Sequence, residues 1–149
     1  MELSSAFELT FTLQLFSSYF LTGLIWTIQM VHYPAFRFVN ENNFSSFAQI
    51  HSKQITKVVM PLMIIELVTA FLLILAKGLD QVGFTFFVTN FVLVICIWAS
   101  TFFLSVPCHN KLMKKRTEEV IERLISTNWP RTIFWTLKSL ALLYWTIYT

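Results

Sequence analysis

Four long apolar stretches, each close to the length of a membrane-spanning helix, restrict what this chain can fold into. They cover residues 9–31, 58–76, 82–106 and 132–148. The hydrocarbon core of a bilayer takes roughly 20 apolar residues per helix, and a backbone inside it must satisfy its own hydrogen bonds, which favours helices. The sequence therefore predicts an all-α integral membrane protein, a four-helix bundle that forms a single domain over residues 1–149.

The composition fits a protein that is surrounded by lipid. Hydrophobic residues make up 56% of the chain and charged residues 13%, whereas a soluble domain carries about a quarter charged residues. The net charge of +3 comes from basic residues in the connectors between apolar stretches, so we expect membrane lipid and not nucleic acid as the partner. The two cysteines, Cys96 and Cys108, form no CxxC motif or disulfide framework.

The basic residues indicate how the helices are oriented. The connectors after the first and third stretches carry most of them: Arg37, Lys53, Lys57, Lys111, Lys114, Lys115, Arg116, Arg123 and Arg131. The opposite side offers only Lys77, beside Asp80, and a tail that contains Glu2. Because cytoplasmic loops carry an excess of Lys and Arg, both connectors should be cytoplasmic and both termini extracytoplasmic. We expect a multi-pass protein of a bacterial inner membrane and leave open whether it forms a homo-oligomer.

The first connector is predicted to be helical over about 44–57. Asn42 and Asn43, followed by the Ser46-x-x-Gln49 pattern, are typical of a helix start with a capping box. The second membrane helix should therefore begin in the cytoplasm as an amphipathic extension.

The second connector is predicted to be helical over about 107–124. Glu119 and Arg123 are four residues apart, a spacing that favours continuation of the third helix past the membrane. Thr127 and Asn128 are candidate N-caps of the fourth helix.

The three histidines lie on the predicted cytoplasmic side of the bundle. His32 ends the first stretch, His51 precedes the second and His109 follows the third. Imidazole is a ligand for Zn, Cu and Fe, so the three could hold a transition metal or haem, although no HExxH signature is present. Proton transfer or substrate binding is a second interpretation. In the third, each histidine is an interfacial residue that bonds a lipid headgroup or a helix end.

Each of three stretches has one face that is more polar than lipid should tolerate. The first carries Trp26, Gln29 and either His32 or Tyr33; the third carries Asn90, Val94, Trp98, Thr101, Ser105 and His109; the fourth carries Asn128, Arg131, Trp135 and Lys138. These faces should turn toward each other and form a polar pocket in the cytoplasmic half of the bundle. Gln29, Trp98, Asn128 and Trp135 are then candidates for holding a cofactor, although tryptophans also serve as packing or interface residues.

Three charged residues are candidates for catalysis. Glu66 and Lys138 are each on the order of 10 to 13 Å deep from the same predicted face, so an ion pair would reduce the cost of burying them. That pair would either hold the bundle together or tune acid and base strength. Arg131, near a helix N-terminus, would bind an anion or a carbonyl group, or would anchor a phospholipid.

Three segments, 29–36, 106–112 and 128–135, resemble motifs of small bacterial four-span membrane proteins of unknown function and, more distantly, of the anthrone-oxygenase-like family. That family has a His-x-Pro pattern after the first span, a Pro with a polar residue and Leu after the third, and an aromatic and Arg-containing segment at the fourth. Here these patterns match His32, Pro34, Pro107, Asn110, Leu112, Trp129 and Arg131. The resemblance implies oxygen-dependent oxidation of a lipophilic aromatic compound. His51 and His109 are not part of the family's pattern and are a departure from it.

The leading hypothesis is a membrane oxidoreductase or cofactor-binding protein that acts on a lipophilic small molecule. A proton-coupled transporter or channel subunit is the first alternative. It requires polar residues near the outer face, where the sequence offers little besides Thr22, Thr69 and Asn90. A lipid-binding or assembly protein is the second alternative, in which the histidines would be mutable without loss.

Overall fold

The computed structural model describes residues 5–76 and 78–148, and every regular element in those residues is helical. The elements are α1 (Ser5–Phe38), α2 (Glu41–Ile74), α3 (Gln81–Leu112), α4 (Glu118–Thr127) and α5 (Trp129–Tyr148). Helix α4 is short, and the other four form the bundle. The orientation argument that used Glu2 and Lys77 concerns residues outside the described part of the chain.

The four long helices form a ring in the order α1, α2, α3 and α5, in which each helix packs against two neighbours. At one end, Phe7 of α1 and Phe86 and Phe87 of α3 meet, and Phe86 stacks on Trp145 of α5 at 4.4 Å between ring centroids. The opposite end holds the α1–α2 connection and α4, which packs against α1 and α3. We call this second end the connector end.

Three of the described helices, α1, α2 and α3, are long and apolar enough to cross a membrane. Large apolar side chains cover the outside of the bundle, among them Phe16, Phe71, Phe103 and Leu140. The interior, by contrast, holds polar side chains such as those of Gln14, Ser18, Glu66 and Lys138. These polar side chains lie beside a buried hydrophobic cluster, and an apolar outer surface around buried polar groups suits a lipid surrounding. Helix α5 has 20 residues and buries the charged side chains of Arg131 and Lys138 against the other helices.

Helix α2 begins at Glu41, well before the apolar stretch over residues 58–76. The Asn40 side chain accepts a hydrogen bond from the Asn42 backbone N–H at 3.0 Å, so Asn40 is the N-cap. The expected capping box is absent, because the Gln49 amide donates to the Ser45 hydroxyl at 3.3 Å, within the helix. The helical extension over 44–57 is present, although its start differs from the one expected.

The second connector differs from the expected continuous helix over 107–124. Helix α3 ends at Leu112, and the separate helix α4 folds back onto the bundle. Ile121 and Leu124, three residues apart on one face of α4, are fully buried. A straight extension of α3 would leave this apolar face in water, and burying it favours the break.

Two π-helical turns interrupt the long helices close to the connector end. In α1 the turn covers Ile28–His32, and in α3 it covers Thr101–Ser105. A proline follows each turn, Pro34 in α1 and Pro107 in α3. Proline has no backbone N–H, so the carbonyl four residues earlier loses its usual partner and the helix widens locally. A π-helical turn changes the direction in which the neighbouring side chains point. Both turns lie beside the candidate site.

Candidate functional site

The three histidines meet at the connector end, each from a different helix. His32 Nε2 of α1 lies 2.8 Å from His51 Nδ1 of α2. The rings of His51 and His109, the latter in α3, are 5.5 Å apart between centroids. Tyr33, next to His32 in the sequence, places its hydroxyl 3.0 Å from His109 Nε2. His32, the last residue of the first π-helical turn, and Tyr33, the residue after it, therefore both contribute, whereas the sequence stripe suggested one or the other.

The hydrogen bonds of the cluster give the expected metal or haem site no support. Among the described residues, no group of three or more His, Cys, Asp and Glu side chains is placed to hold a metal ion. His32 and His51 bond each other, and the Nε2 atom of His109 bonds Tyr33. Each of these ring nitrogens already has a partner. His51 Nε2 differs, because it is buried and has no hydrogen-bond partner.

A cavity of about 290 Å³ lies beside the histidines, between α2 and α3, and reaches inward to α1 and α5. Most of its lining surface is apolar, and the six aliphatic and methionine lining residues are Ile28, Ile55, Val59, Met60, Met63 and Val106. The polar lining residues are Tyr33, Ser52, Thr56, Thr101, Ser105, His109, Asn110 and Arg131. Thr56 and Asn110 are exposed, so the cavity reaches the outside of the bundle between α2 and α3.

Arg131 contributes the charge in the cavity wall and is 5% exposed. Its Nη1 atom donates to the Ser105 hydroxyl at 3.2 Å and to Asn128 Oδ1 at 3.1 Å, and its guanidinium lies 5.3 Å from the Trp135 ring. Its Nε has no hydrogen-bond partner. No carboxylate among the described residues forms an ion pair with it. A buried cation without a counter-charge is expensive, so the site favours an anionic or strongly polar oxygen.

Asn128 holds Arg131 in place from the start of α5. Its amide nitrogen donates to Gln29 Oε1 at 2.8 Å, while its carbonyl oxygen accepts from Arg131. Gln29 in turn donates to the Ile125 carbonyl of α4 at 3.2 Å. Asn128 is fully buried, and its side chain links α1 to Arg131 where the sequence suggested a helix cap. Gln29 and Asn128 support the cavity without lining it.

Glu66 and Lys138 form a separate charged cluster in the middle of the bundle. Lys138 Nζ lies 2.5 Å from Glu66 Oε1, and neither side chain is exposed. The Trp135 indole N–H donates to both carboxylate oxygens, at 3.2 and 3.1 Å, and the Ser18 hydroxyl donates to one of them at 3.3 Å. Neither charged residue lines the cavity. The contacts therefore favour the structural interpretation of this pair over the catalytic one.

Trp98, a candidate for holding a cofactor, also lies away from the cavity lining. Its ring packs against Phe102 at 5.5 Å between centroids, and its indole N–H is buried without a partner. The arrangement is that of a packing residue. Trp26 donates from its indole N–H to the Thr136 hydroxyl at 2.9 Å and is 40% exposed, as an interface tryptophan would be.

Sequence reasoning missed a buried polar network beyond Glu66. Gln14 donates to Asn90 Oδ1 at 3.0 Å and accepts a hydrogen bond from the Thr69 hydroxyl. Ser17 and Ser18, next to it on α1, are also fully buried. Gln14 and Ser18 are four residues apart and so lie on one face of α1, and this spacing could have indicated a polar face in the sequence. The half of the bundle away from the connector end therefore buries Gln14, Ser17 and Ser18 in addition to the expected Thr69 and Asn90.

An exposed ion pair ties α4 to the end of α1. Arg37 Nε and Nη2 donate to the two carboxylate oxygens of Glu122 at 2.6 and 2.7 Å. The Arg37 guanidinium lowers the pKa of the Glu122 carboxyl through this hydrogen bond and its charge. Arg116 adds a hydrogen bond to the Arg37 carbonyl at 3.0 Å and an ion pair with Glu118. These contacts hold the connector end in one arrangement.

Comparison with protein-family models, curated proteins and solved structures finds no match to this chain. The resemblance of the three segments to the anthrone-oxygenase-like family therefore stays a prediction. Each of the three segments supplies a residue to the wall of the cavity. Segment 29–36 supplies Tyr33 to the cavity wall, segment 106–112 supplies His109, and segment 128–135 supplies Arg131.

Proposed function

We propose that this protein binds a lipophilic small molecule with an anionic or carbonyl oxygen in the cavity between α2 and α3. The observation that carries the proposal is Arg131, a cavity-lining cation that is 5% exposed and has no carboxylate partner among the described residues. An anionic or carbonyl oxygen in the cavity would lie beside this guanidinium and form a charge-assisted hydrogen bond with it. Such a contact would relieve the cost of the buried charge.

The rest of the cavity supports a lipophilic ligand. Most of its wall surface is apolar, six of the fourteen lining residues are aliphatic or methionine, and Met is suited to packing around irregular ligands. The cavity reaches the surface between two helices that are apolar enough to cross a membrane. A lipophilic molecule would therefore reach Arg131 between these two helices at the connector end, with its apolar part against the aliphatic and methionine wall.

The proposal includes a location. The connector end carries most of the basic residues, which supports a cytoplasmic position for it and an inner-membrane protein with all four long helices spanning the bilayer. The more specific form of the proposal is an oxidoreductase that acts on the bound molecule. Its support is that all three segments resembling the anthrone-oxygenase-like family contribute to the cavity wall. No metal is part of this proposal.

The test compares two ligands that differ only in the head group. Protein in lipid nanodiscs is titrated with cis-parinaric acid, a naturally fluorescent fatty acid, and with the matching alcohol, and empty nanodiscs provide the background. We expect saturable binding of one acid per protein, tighter than the alcohol by about tenfold or more, because one charge-assisted hydrogen bond contributes roughly 1.5 to 3 kcal/mol. Arg131→Gln should remove this preference.

Two further variants separate binding from folding. Met60→Trp fills the cavity without touching the charge and should weaken both ligands, whereas Met30→Trp, at a position 59% exposed on α1, should weaken neither. Equal affinity of the acid and the alcohol in the unmodified protein would overturn the proposal. So would unchanged binding in folded Met60→Trp.

A proton-coupled transporter is a second candidate, and one specific observation favours it. The Thr69 hydroxyl bonds to Gln14 and to the Glu66 backbone carbonyl, while the Glu66 carboxylate bonds to Ser18 and Lys138. Buried polar groups therefore extend from the charged pair toward the far end of the bundle. Such a series is a candidate proton path. Proton flux into liposomes that falls in Glu66→Gln, while Thr146→Val near the end of α5 has no effect, would favour transport over binding.

A further inference from the structure

We propose that the cavity accepts weakly acidic lipophilic molecules, such as phenols and enols, and that Tyr33, His109, His51 and His32 carry the acidic proton away to the aqueous surface. This inference rests on the proposed function, because it needs the oxygen of the ligand to be held at Arg131. It adds a substrate class and an acid–base step to that site. It also explains why three histidines gather beside a cavity.

The first step takes place at the cavity wall. Tyr33 and His109 both line the cavity, and the Tyr33 hydroxyl lies 3.0 Å from His109 Nε2. When the ligand O–H bond breaks, its proton moves to the Tyr33 oxygen while the Tyr33 proton moves to His109 Nε2. One O–H bond is lost in the ligand and one N–H bond forms on the imidazole. The electron pair stays on the ligand oxygen, where the Arg131 guanidinium stabilises the negative charge.

The second step passes through His51, which is 9% exposed and lies between the other two histidines. In the tautomer whose Nδ1–H donates to His32 Nε2, the His51 Nε2 atom is an acceptor, and it is buried without any partner. His109 then loses a ring N–H proton and His51 Nε2 gains it through one bridging water molecule, because the two rings are 5.5 Å apart between centroids and no direct hydrogen bond reaches His51 Nε2. A buried hydrogen-bond acceptor without a partner costs free energy, and a proton or water molecule bound at His51 Nε2 would offset that cost.

The third step delivers the proton to the surface. His51 passes its Nδ1 proton across 2.8 Å to His32 Nε2, and His32 is half-buried at the connector end, where it can release a proton to water. The titratable groups around this path are His32 and Tyr33 from α1, Cys108 and His109 from α3, and Arg131 from α5. Among the described residues no carboxylate pairs with any of the three imidazoles. A proton therefore has no acidic side chain that would trap it on the way.

Two phenylalanine rings shield the imidazoles of the proton path from water. Phe36 and Phe47 pack against both His32 and His51, with Phe36 centroids at 5.4 and 5.2 Å from the two rings and Phe47 at 6.4 Å from each. Apolar rings exclude water from the sides of the chain, so that transfer between the imidazoles is favoured over leakage.

The test uses a phenol that reports its own protonation. An alkyl-substituted 4-nitrophenol is mixed rapidly with the protein in nanodiscs, at a pH where the free phenol is protonated. Tryptophan quenching reports binding, and the yellow absorbance of the nitrophenolate reports loss of the proton. We expect both signals to rise together in the unmodified protein. In His51→Phe, which keeps a ring of similar size, binding should be unchanged within about twofold while nitrophenolate formation slows by about tenfold or more.

Controls assign the effect to the imidazole chain. His32→Phe should also slow nitrophenolate formation, and because this ring is half-buried the variant serves if His51→Phe does not fold. Phe38→Leu, at a ring that is 87% exposed at the same end of α1, should leave both rates as they were. A nitrophenol that binds but stays colourless, or that ionises at the same rate in folded His51→Phe and His32→Phe, overturns the relay and leaves the proposed function standing. Failure of the nitrophenol and of cis-parinaric acid to bind overturns both.

Discussion

Lys138 Nζ lies 2.5 Å from Glu66 Oε1 in the middle of the bundle, and both side chains are completely buried. Removal of one partner of such a pair leaves a buried charge without compensation, which costs about 3 to 5 kcal/mol. We therefore expect Glu66→Gln to lower the free energy of unfolding by about that amount. Thermal unfolding in mild detergent, followed by circular dichroism, measures the loss as a fall in the midpoint.

The same substitution at an exposed ion pair is the control for this prediction. Glu122→Gln removes the partner of Arg37 at the surface, where water screens the charge, and should leave the midpoint at neutral pH almost unchanged. Because the pKa of Glu122 is lowered in the fold, its small contribution is present above the unfolded pKa and is lost only as the pH falls through the folded value. Glu66→Met combined with Lys138→Met should recover most of the stability. A Glu66→Gln midpoint equal to that of Glu122→Gln would contradict the structural role.

Asn128→Asp tests whether Arg131 lacks a counter-charge. Asn128 Oδ1 already lies 3.1 Å from Arg131 Nη1, so the new carboxylate would pair with the guanidinium and compete with an anionic ligand. We expect cis-parinaric acid to bind about tenfold more weakly, which corresponds to about 1.4 kcal/mol, while the matching alcohol binds as before. Asn42→Asp, in the exposed first turn of α2, adds the same charge and should change neither affinity. Unchanged acid binding in Asn128→Asp would show that the ligand oxygen is held elsewhere.

The meeting of the histidines could be anticipated from the sequence, whereas the cavity could not. His32, His51 and His109 each lie just outside an apolar stretch, and alternating helices bring such positions to one end. The cavity wall depends on the π-helical turns, which shift Tyr33 and Ser105 relative to a regular helix. A π-helical turn departs from 3.6 residues per turn, so the regular helical period does not predict that shift.

The buried polar residues of α1 were missed for a different reason. Gln14, Ser17 and Ser18 lie in an otherwise apolar stretch, and serine is common in membrane helices, where it can bond its own backbone. Only the partners on other helices, such as Asn90 and Glu66, show that these side chains form a network. The break before α4 was missed because Glu119 and Arg123 fit a helix equally well whether or not it continues from α3.

Pro107→Ala tests the link between the π-helical turn and the site. The Val106 backbone N–H bonds the Thr101 carbonyl, five residues earlier, as the widened turn requires. Alanine restores an N–H at position 107, so that a regular helix can form and the side chains of Ser105 and His109 rotate away from the cavity. We expect a higher unfolding midpoint together with weaker binding of cis-parinaric acid.

Pro130→Ala is the matched control. Pro130 lies in the first turn of α5, where a missing backbone N–H costs no intrahelical hydrogen bond. This variant should bind cis-parinaric acid like the unmodified protein. Equal effects of Pro107→Ala and Pro130→Ala on binding would mean that the widened turn has no special part in shaping the cavity.

The orientation of the bundle can be tested by cysteine labelling. In a chain that carries Cys96→Ala and Cys108→Ala, a single cysteine is introduced by Ser126→Cys near the end of α4 or by Gln81→Cys at the start of α3, both exposed positions. Because the basic residues concentrate around α4, we expect a membrane-impermeant maleimide to label Gln81→Cys in intact cells and Ser126→Cys only after the inner membrane is opened. The reverse pattern would place Arg131 and the histidines on the extracytoplasmic side, and the proton released from His32 would then leave the cell instead of entering the cytoplasm.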